Sequence, residues 1–362
     1  MSTLSGGRSQ LNWALDRPMN DQPPPFFILG AGFGVDAGAI VGLIEAESIY
    51  IGKYRFPCDY PLVRDLPAIC FPAETPTVPV AEIEARMAEA LTDGDNLPIE
   101  RLCHALGKAD HYLAPRLVGW PTNPNPYAQF FADFPASSFA TYNYDAFVEF
   151  ALFRAGRWFP HDGYGVKVAV DLGFTAEPYE VRDSKCLVLH LHGTYMVYSY
   201  EHTFGAPDND GVRWMELYDS PRFAFDPYSL SDGFYPFQRF MAGLAYKPDV
   251  HDRIVAPIPD KATGLKAAFI GEVTQRAKAI IAKQGSLVAI GYAFAAHDSA
   301  SHSELLKTLN AASKPSAVVV SPEASAVVAR LRPQYNRVEW VAVDLGFAAW
   351  VSASYPGLVT SV

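Results

Sequence analysis

Short apolar runs, separated by longer mixed segments, dominate the pattern of hydrophobic and polar positions along the chain. Five runs are continuously apolar, which is typical of strands buried on both faces of a parallel sheet. A sixth run, VEWVAV at 338–343, alternates more and is predicted to lie at a sheet edge. The five continuous runs are FFIL (26–29), SSFATY (137–142), CLVLHL (186–191), SLVAIGY (286–292) and SAVVVS (316–321).

Helical periodicity occupies several of the segments between the predicted strands. Strands that alternate with helices of this length are typical of βαβ units. The pattern therefore predicts an α/β fold with a Rossmann-like, doubly wound parallel sheet. The predicted helices cover 80–91, 99–106, 265–282 and 303–312.

Two segments interrupt this alternation and are predicted to be insertions over one end of the sheet. Residues from about 55 to 132 carry many prolines and a helical cluster, which predicts an inserted helical subdomain. Residues from about 196 to 250 are rich in aromatic side chains without a clear period; the part at 214–240 is either a packed loop or a lid or assembly surface. Residues 1–25 are expected to be a flexible lead-in, leaving 26–362 as the folded domain.

Composition narrows the class of protein. The 362 residues are 49% apolar and 19% charged, as expected for an ordered globular chain. No run of eighteen apolar residues and no secretory signal is present, so we expect no membrane span and a cytoplasmic protein. The formal charge of −10 argues against direct nucleic-acid binding. Four cysteines without a CxxC pair suit free thiols better than a disulfide frame or a zinc site.

The first predicted strand runs directly into GAGFGVDAG, a loop with four glycines. Glycine is entropically costly, so the loop is a phosphate cradle, a tight strand-to-helix turn, or a place of close packing. Val35 stands where a regular GxGxxG fingerprint has its third glycine. Asp36 either caps the next helix or contacts a ribose. The glycines are Gly30, Gly32, Gly34 and Gly38.

Polar side chains follow the next two predicted strands. Asn143 and Asp145 in TYNYD come just after a strand, where open α/β sheets bind ligands, although an Asx turn or helix cap is the alternative. In LHLHG, His190 and His192 lie on one face of a strand. They are candidates for metal ligands without a convincing third ligand, for hydrogen-bonded core histidines, or for acid–base catalysis.

Two later strand ends add weaker signals. AIGYAFAAHDSASHSELL repeats the order strand, glycine, helix and is a candidate second anion site. His297 and Asp298 within it are expected to be solvated or capping groups. Ser321, beside Pro322, ends the fifth run.

Taken in order, GAGxxxxxxG, TxNYD, LHG and IGY-F resemble the sirtuin-like NAD-binding family. The resemblance is closest to the prokaryotic branch of NAD-cleaving effectors in anti-phage defence, and it extends from residue 26 to about 348. The order of the four motifs is more specific than any one of them. It implies a Rossmann-like sheet that holds NAD beneath a helical subdomain, with no cofactor beyond NAD as substrate.

The resemblance also implies roles for individual residues. Asn143 would orient the nicotinamide ribose or the attacking water, Asp145 would contact the nicotinamide amide, and His192 would contact the ribose hydroxyls and act as the base. The loop at 30–33 would hold the pyrophosphate, with Ser321 near the adenine ribose. The predicted cofactor-binding positions are Gly30, Ala31, Gly32, Phe33, Gly34, Asp36, Gly38, Thr141, Gly291, Tyr292, Phe294 and Ser321.

The chain also departs from the family pattern. It lacks the paired cysteines of a structural zinc, and it reads AIVGLIEAE where deacylating sirtuins carry Pro-Asp-Phe-Arg, so both differences argue against deacylation. Ala293 and Gly34 replace small hydroxyl residues that are common in relatives, which removes possible phosphate contacts.

The resemblance implies an NAD glycohydrolase that releases nicotinamide and ADP-ribose and depletes NAD during anti-phage defence. Cationic nicotinamide leaves without a strong general acid, so an amide and an imidazole suffice. Control would come from homo-oligomerisation or from a partner such as a HerA-type ATPase. The alternatives are an NAD-dependent ADP-ribosyltransferase or deacylase, a non-catalytic NAD-sensing module, or a structural subunit.

Overall fold

The computed structural model describes the greater part of the chain, and the statements below concern that part. It omits most of the predicted lead-in (residues 1–22), most of 196–250, and His297. The described residues are 23–41, 48–51, 54–57, 60–73, 78–79, 82–95, 97–119, 125–167, 169–170, 183–194, 196–199, 223–225, 268–295 and 298–358.

The strands confirm the pattern of apolar runs. Each of the six predicted runs contains one strand of a single six-stranded sheet, in which every pairing is parallel. The described strands are β1 (Phe26–Leu29), β2 (Ser48–Ile51), β3 (Tyr54–Pro57), β4 (Ser138–Thr141), β5 (Ala169–Val170), β6 (Val188–His190), β7 (Val197–Ser199), β8 (Phe223–Phe225), β9 (Ser286–Ile290), β10 (Ser316–Val320) and β11 (Glu339–Val343).

The order of strands in the main sheet is that of a Rossmann fold. The sheet runs β11-β10-β9-β1-β4-β6, and its strands, counted along the chain, therefore lie in the order 3-2-1-4-5-6 from the β6 edge. The fold is α/β with a parallel sheet, as predicted, and β11 is an edge strand, as predicted. The order reverses between β1 and β9, which makes this junction the topological switch point.

Helices flank the sheet, and several were not predicted. Helix α6 illustrates the reason, because six consecutive residues from Phe147 to Leu152 are buried and leave no polar face to give a period. The described helices are α1 (Ala37–Ile40), α2 (Leu66–Cys70), α3 (Ile83–Thr92), α4 (Leu97–Ala114), α5 (Pro126–Asp133), α6 (Phe147–Arg154), α7 (Pro160–Gly163), α8 (Ala268–Gln284), α9 (Ser299–Ala311), α10 (Ala324–Leu331) and α11 (Phe347–Ser352).

The two predicted insertions differ in structure. The described part of 55–132 carries α2, α3 and α4, a π-helical turn at Pro115–Gly119 and most of α5, in line with the helical pattern. The described part of 196–250 holds β7 and β8, which form a three-stranded sheet with β5. The sequence had shown no strand period there, and most of the predicted lid segment lies outside the described residues.

An aromatic cluster fastens the helical insertion to the loop after β1. Phe33 of this loop is 2% exposed and contacts Phe347 with 4.6 Å between ring centroids. The Tyr127 hydroxyl on α5 donates a hydrogen bond to the Phe33 carbonyl oxygen at 2.6 Å. The loop after β1 is thus held in place by the packing of Phe33 and by one buried hydrogen bond. Phe130, Phe131 and Phe147 complete the cluster.

Two further expectations concern the thiols and the membrane. Cys70, Cys103 and Cys186 are buried and form no disulfide within the described part of the chain, as predicted for three of the four cysteines. Among the described helices, none is both long and apolar enough to cross a membrane.

Candidate functional site

Four strand ends meet at one edge of the sheet and form the candidate site. The register sets Leu29 level with Thr141 on one side and with Ile290 on the other, and Thr141 level with His190. The residues that follow β1, β4, β6 and β9 therefore lie side by side. In open α/β sheets this edge, next to the switch point, is where ligands bind.

The glycines after β1 and β9 allow two loops to touch through their backbones. A Cβ atom at Gly30 would lie 2.6 Å from the Gly291 carbonyl oxygen, and one at Gly32 would lie 2.8 Å from the Gly291 Cα atom. Gly291 itself has a φ of +62°, and a Cβ there would lie 2.3 Å from the Phe33 nitrogen. Close packing, one of the three explanations considered for this loop, accounts for Gly30 and Gly32.

The backbone N–H groups of this loop are largely engaged within the protein. Four of them donate to backbone carbonyl oxygens, so a phosphate bound here would have to use other donors. The four bonds run from Gly30 to Ile290 (3.0 Å), from Gly32 to Gly291 (3.0 Å), from Phe33 to Gly30 (2.9 Å) and from Gly34 to Ala31 (3.2 Å).

The next residues begin a short helix instead of extending the loop. Asp36 occupies the N-cap position of α1, but its side chain makes no capping hydrogen bond. Gly34 faces the insertion, since a Cβ there would lie 3.2 Å from Cδ2 of Tyr60. Gly38 is buried within α1, whereas Ala31 is exposed.

Asn143 connects the end of β4 to the glycine loop. Its side-chain amide donates to the Gly30 carbonyl oxygen at 3.2 Å, and its backbone N–H donates to the Thr141 hydroxyl oxygen at 3.0 Å. The side chain is half-buried. Thr141, Asn143 and Gly30, all predicted site residues, are therefore in direct hydrogen-bonded contact.

Asp145 forms the Asx turn that was the alternative interpretation of its position. Its Oδ1 accepts from the Phe147 N–H at 3.2 Å, just before α6. Burial and then the nearby Glu149 carboxylate raise the pKa of Asp145 from 3.8 to about 6. Asp145 therefore both stabilises a turn and carries a carboxyl group whose pKa is about 6.

His190 is part of a buried hydrogen-bonded group on the floor of the site. Its Nδ1 lies 3.0 Å from the Asn143 carbonyl oxygen and its Nε2 lies 2.6 Å from Glu149 Oε1. The Tyr164 hydroxyl donates to the same Glu149 oxygen at 3.1 Å. Burial lowers the pKa of His190, but the charge and hydrogen bond of Glu149 outweigh that effect and raise it above 6.5.

His192 faces a different environment two residues further on. Its Nε2 lies 3.0 Å from the Ser301 hydroxyl of α9, and its ring meets the edge of Tyr142 with 4.8 Å between centroids. The residue is 5% exposed. Of the two histidines in LHLHG, His190 is the one that hydrogen-bonds a carboxylate, and His192 pairs with a hydroxyl.

Aromatic rings from β4 and β9 build a wall beside His192. Tyr142 and Tyr292 stack with 4.0 Å between centroids and 9° between planes, and burial raises the pKa of both hydroxyls. Phe294 packs against Tyr292 at 4.7 Å. Its φ of 48° is unusual for a residue with a side chain, and Arg330 donates to its carbonyl oxygen at 2.9 Å. The side chains of Tyr292 and Phe294 are both buried.

Ser321 lies away from Asn143 and His192, although it directly follows Val320, whose carbonyl oxygen accepts from the Gly291 N–H at 2.9 Å. It comes just after β10, and β9 and β1 separate that strand from β4. Its hydroxyl accepts from the Glu323 N–H at 3.3 Å in a local turn.

One group among the described residues brings together donor atoms that suit a metal ion. His161, Asp162 and Asp183 place one ligand atom each within 4.8 Å of one another. His161 Nδ1, however, is buried without a hydrogen-bond partner among the described residues. Metal-bound histidine usually donates its other ring N–H, so a metal on Nε2 would leave that group unsatisfied. The geometry therefore favours a histidine–carboxylate contact.

Sequence reasoning missed three residues of the site. Glu149 and Ser301 hydrogen-bond the two histidines and Tyr164 donates to Glu149, but none of the three was singled out. A usable signal existed only for Glu149, which is the single acid in the apolar run FVEFALF. A lone charge in a buried run indicates a partner.

The fold and the site define an α/β protein with a Rossmann-order sheet and a polar, partly titratable edge at its switch point. Comparison with known proteins adds no family: no family model matches the chain, and no curated protein matches it significantly.

Proposed function

We propose that the protein is an NAD glycohydrolase that cleaves the bond between nicotinamide and ribose. The observation that carries the proposal is the pairing of Asn143 and His192 at adjacent strand ends, with the Asn143 amide hydrogen-bonded to Gly30 beside the switch point. An amide and an imidazole at the sheet edge beside the switch point are what this hydrolysis requires.

The chemistry explains why two such groups are enough. Nicotinamide in NAD is already cationic, and its departure leaves an oxocarbenium-like ribose that water attacks. Asn143 donates through Nδ2 to Gly30, so its Oδ1 accepts from the ribose hydroxyl or the water. His192 takes the proton from water or from a ribose hydroxyl, a step that typically contributes ~10²–10⁴-fold.

Asp145 has the properties needed to recognise the carboxamide of nicotinamide. Its pKa of about 6 means that the carboxyl is ionised at pH 7 and accepts from the carboxamide N–H, while burial limits competition from water. The pyrophosphate then lies along the exposed side of the glycine loop at Ala31, because the N–H groups at Gly30, Gly32 and Phe33 are engaged.

A wider role follows from the resemblance to NAD-cleaving defence effectors. We propose that the enzyme depletes cytoplasmic NAD when infection triggers it, and that self-assembly or a HerA-type ATPase partner controls it. An unregulated enzyme of this kind would kill its own cell, so control outside the site is part of the proposal.

The test is nicotinamide release from NAD by the purified chain without an acceptor protein. Asn143→Ala and His192→Ala are each expected to slow release by about 100-fold or more. Asn310→Ala is a matched control away from the site, where the side chain accepts from the Arg337 N–H, and is expected to keep the native rate. Native-like cleavage by either site variant would contradict the mechanism.

Other outcomes separate the alternatives. Turnover only with a protein acceptor would indicate a transferase or deacylase. A rise in thermal stability with NAD but no turnover, even with the partner present, would indicate an NAD sensor, because a ligand that binds the folded state stabilises it.

A further inference from the structure

A continuous hydrogen-bonded chain leads from α6 to the backbone of Asn143. Tyr164 donates to Glu149 Oε1, His190 Nε2 lies 2.6 Å from that oxygen, and His190 Nδ1 lies 3.0 Å from the Asn143 carbonyl oxygen. The side chains of Glu149 and His190 are both 0% exposed. Water therefore does not compete for these bonds.

The partners determine where the protons are. A carbonyl oxygen only accepts, so His190 Nδ1 must carry a hydrogen. Nε2 and Oε1 at 2.6 Å must hold one proton between them, because two lone pairs at that distance would repel each other. The arrangement is either imidazolium with carboxylate or imidazole with carboxylic acid, and both keep the N–H that faces Asn143.

We propose that Glu149 and His190 form a proton-sharing positioning pair that holds the Asn143 carbonyl and thereby keeps the Asn143 side-chain amide on Gly30. The effect on NAD cleavage rests on the proposed function; the effect on the Asn143 side chain does not. Neither residue touches the substrate, so both act through Asn143.

The surroundings of the pair explain why it keeps its proton through neutral pH. His190 faces the carboxylates of Glu149 and Asp145, and the charge of each raises its pKa. Tyr164 packs 5.9 Å from the His190 ring, and Asp110 of α4 acts on Tyr164 from the other side. The acidic surroundings favour the cationic imidazole, which donates from both nitrogens.

Two substitutions of His190 distinguish a role in positioning Asn143 from a general contribution to the stability of the fold. Asparagine places an amide near the former Nδ1, so His190→Asn can still donate to the Asn143 carbonyl but loses Glu149. Glutamine places its amide near the former Nε2, so His190→Gln can still bond Glu149 but loses Asn143. His190→Asn thus removes the hydrogen bond to Glu149, and His190→Gln removes the hydrogen bond to the Asn143 carbonyl oxygen.

We expect His190→Gln to be the less active of the two variants and His190→Asn to be the less stable. His190→Gln should lower kcat by about tenfold or more with KM nearly unchanged, whereas His190→Asn stays within about threefold of native. His190→Asn should be the less stable variant, because it leaves a buried carboxylate short of a donor. If it fails to fold, Glu149→Gln with His190→Asn replaces the charged pair by two amides and serves instead.

Two readouts are independent of NAD cleavage. Long-range ¹H–¹⁵N spectra should show His190 Nδ1 protonated from pH 6 to 8, and crystal structures should show the Asn143–Gly30 bond kept in His190→Asn and lost in His190→Gln. An unprotonated Nδ1, or an Asn143 amide that stays on Gly30 in His190→Gln, would overturn the proposal. Absence of NAD turnover in the native protein would instead count against the proposed function.

Discussion

The two halves of the sheet end in polar residues of very different character. At the ends of β4 and β6, His190 and His192 are withdrawn from solvent and Asp145 is half-buried, and each makes a hydrogen bond within the protein. At the ends of β10 and β11, Ser321 makes a local turn, and Asp344 accepts from the N–H of Ser325 on α10 at 2.7 Å in an exposed position. Burial, more than residue type, separates candidate chemistry from ordinary capping.

The difference lies in what packs over the two halves. Asp110 of α4 accepts from the Ala146 N–H at 2.7 Å and from the Tyr60 hydroxyl at 2.8 Å, which closes the region above Asp145. At the other half, the hydroxyl and carboxylate groups that follow β10 and β11 stay open to solvent. The buried half is thus covered by side chains of several elements, namely Asp110 of the insertion near Asp145, Glu149 of α6 at His190 and Ser301 of α9 at His192.

The largest expected effect lies at the junction of the halves. Gly291→Ala would set a Cβ 2.3 Å from the Phe33 nitrogen at a φ of +62°, and we expect the free energy of unfolding to fall by more than about 4 kcal/mol or folding to fail. Gly156→Ala is the matched control, because its φ is +64° but a Cβ would meet nothing within 4 Å. It should cost only about 1–2 kcal/mol. Equal losses in urea denaturation would refute close packing as the reason for the glycine.

Removing the buried carboxylate is expected to have the next largest effect. Glu149→Ala strands the cationic His190 and the Tyr164 hydroxyl in an apolar interior, which should cost about 3–5 kcal/mol. Asp344→Ala removes a carboxylate from the exposed half and should leave the denaturation midpoint almost unchanged. Similar denaturation midpoints for both variants would contradict the idea that carboxylates matter more for stability in the buried half of the sheet edge than in the exposed half.

We expect the ionised carboxylate of Asp145 to lower the stability of the folded state while it supports NAD cleavage. Its folded pKa of about 6 lies above the ordinary 3.8, so its neutral form is favoured in the folded state. This contribution is fully present below about pH 4 and is lost as the pH rises through 6. Asp145→Asn keeps the acceptor for Phe147 and should stabilise the protein by about 2 kcal/mol at pH 7.5, and by about half as much at pH 5.

The measurement is urea denaturation of both forms at the two pH values, together with nicotinamide release at pH 7.5. The variant should be more stable and slower. A variant that is less stable at pH 7.5 would show that the ionised carboxyl supports the fold.

The smallest expected effect is at Ser321. Because it is two strands away from β1 and its hydroxyl already accepts within a turn, Ser321→Ala should raise KM for NAD by no more than about threefold and leave kcat unchanged. A fall in kcat comparable with that of Asn143→Ala would place it at the reacting bond and undo the comparison.

Much of the architecture was predictable because it depends on local pattern. A strand buried on both faces must be apolar throughout, so FFIL and SAVVV mark sheet positions regardless of their neighbours. Helix α6 was missed by the same logic, since a helix buried on every side loses the period that identifies it. The strand ends also marked the site edge, because parallel strands all end at one side.

Partnerships at that edge were not predictable from the chain alone. His190 and His192 are two residues apart on one strand pattern, yet one hydrogen-bonds Glu149 and the other Ser301, from helices that lie far from each other in sequence. From the sequence, the glycines of the first loop could equally have bound a phosphate; only the structure shows that Gly291 packs against Gly30 and Gly32. Periodicity records whether a position is buried; only packing in three dimensions decides which group it is buried against, and hence its charge and its chemistry.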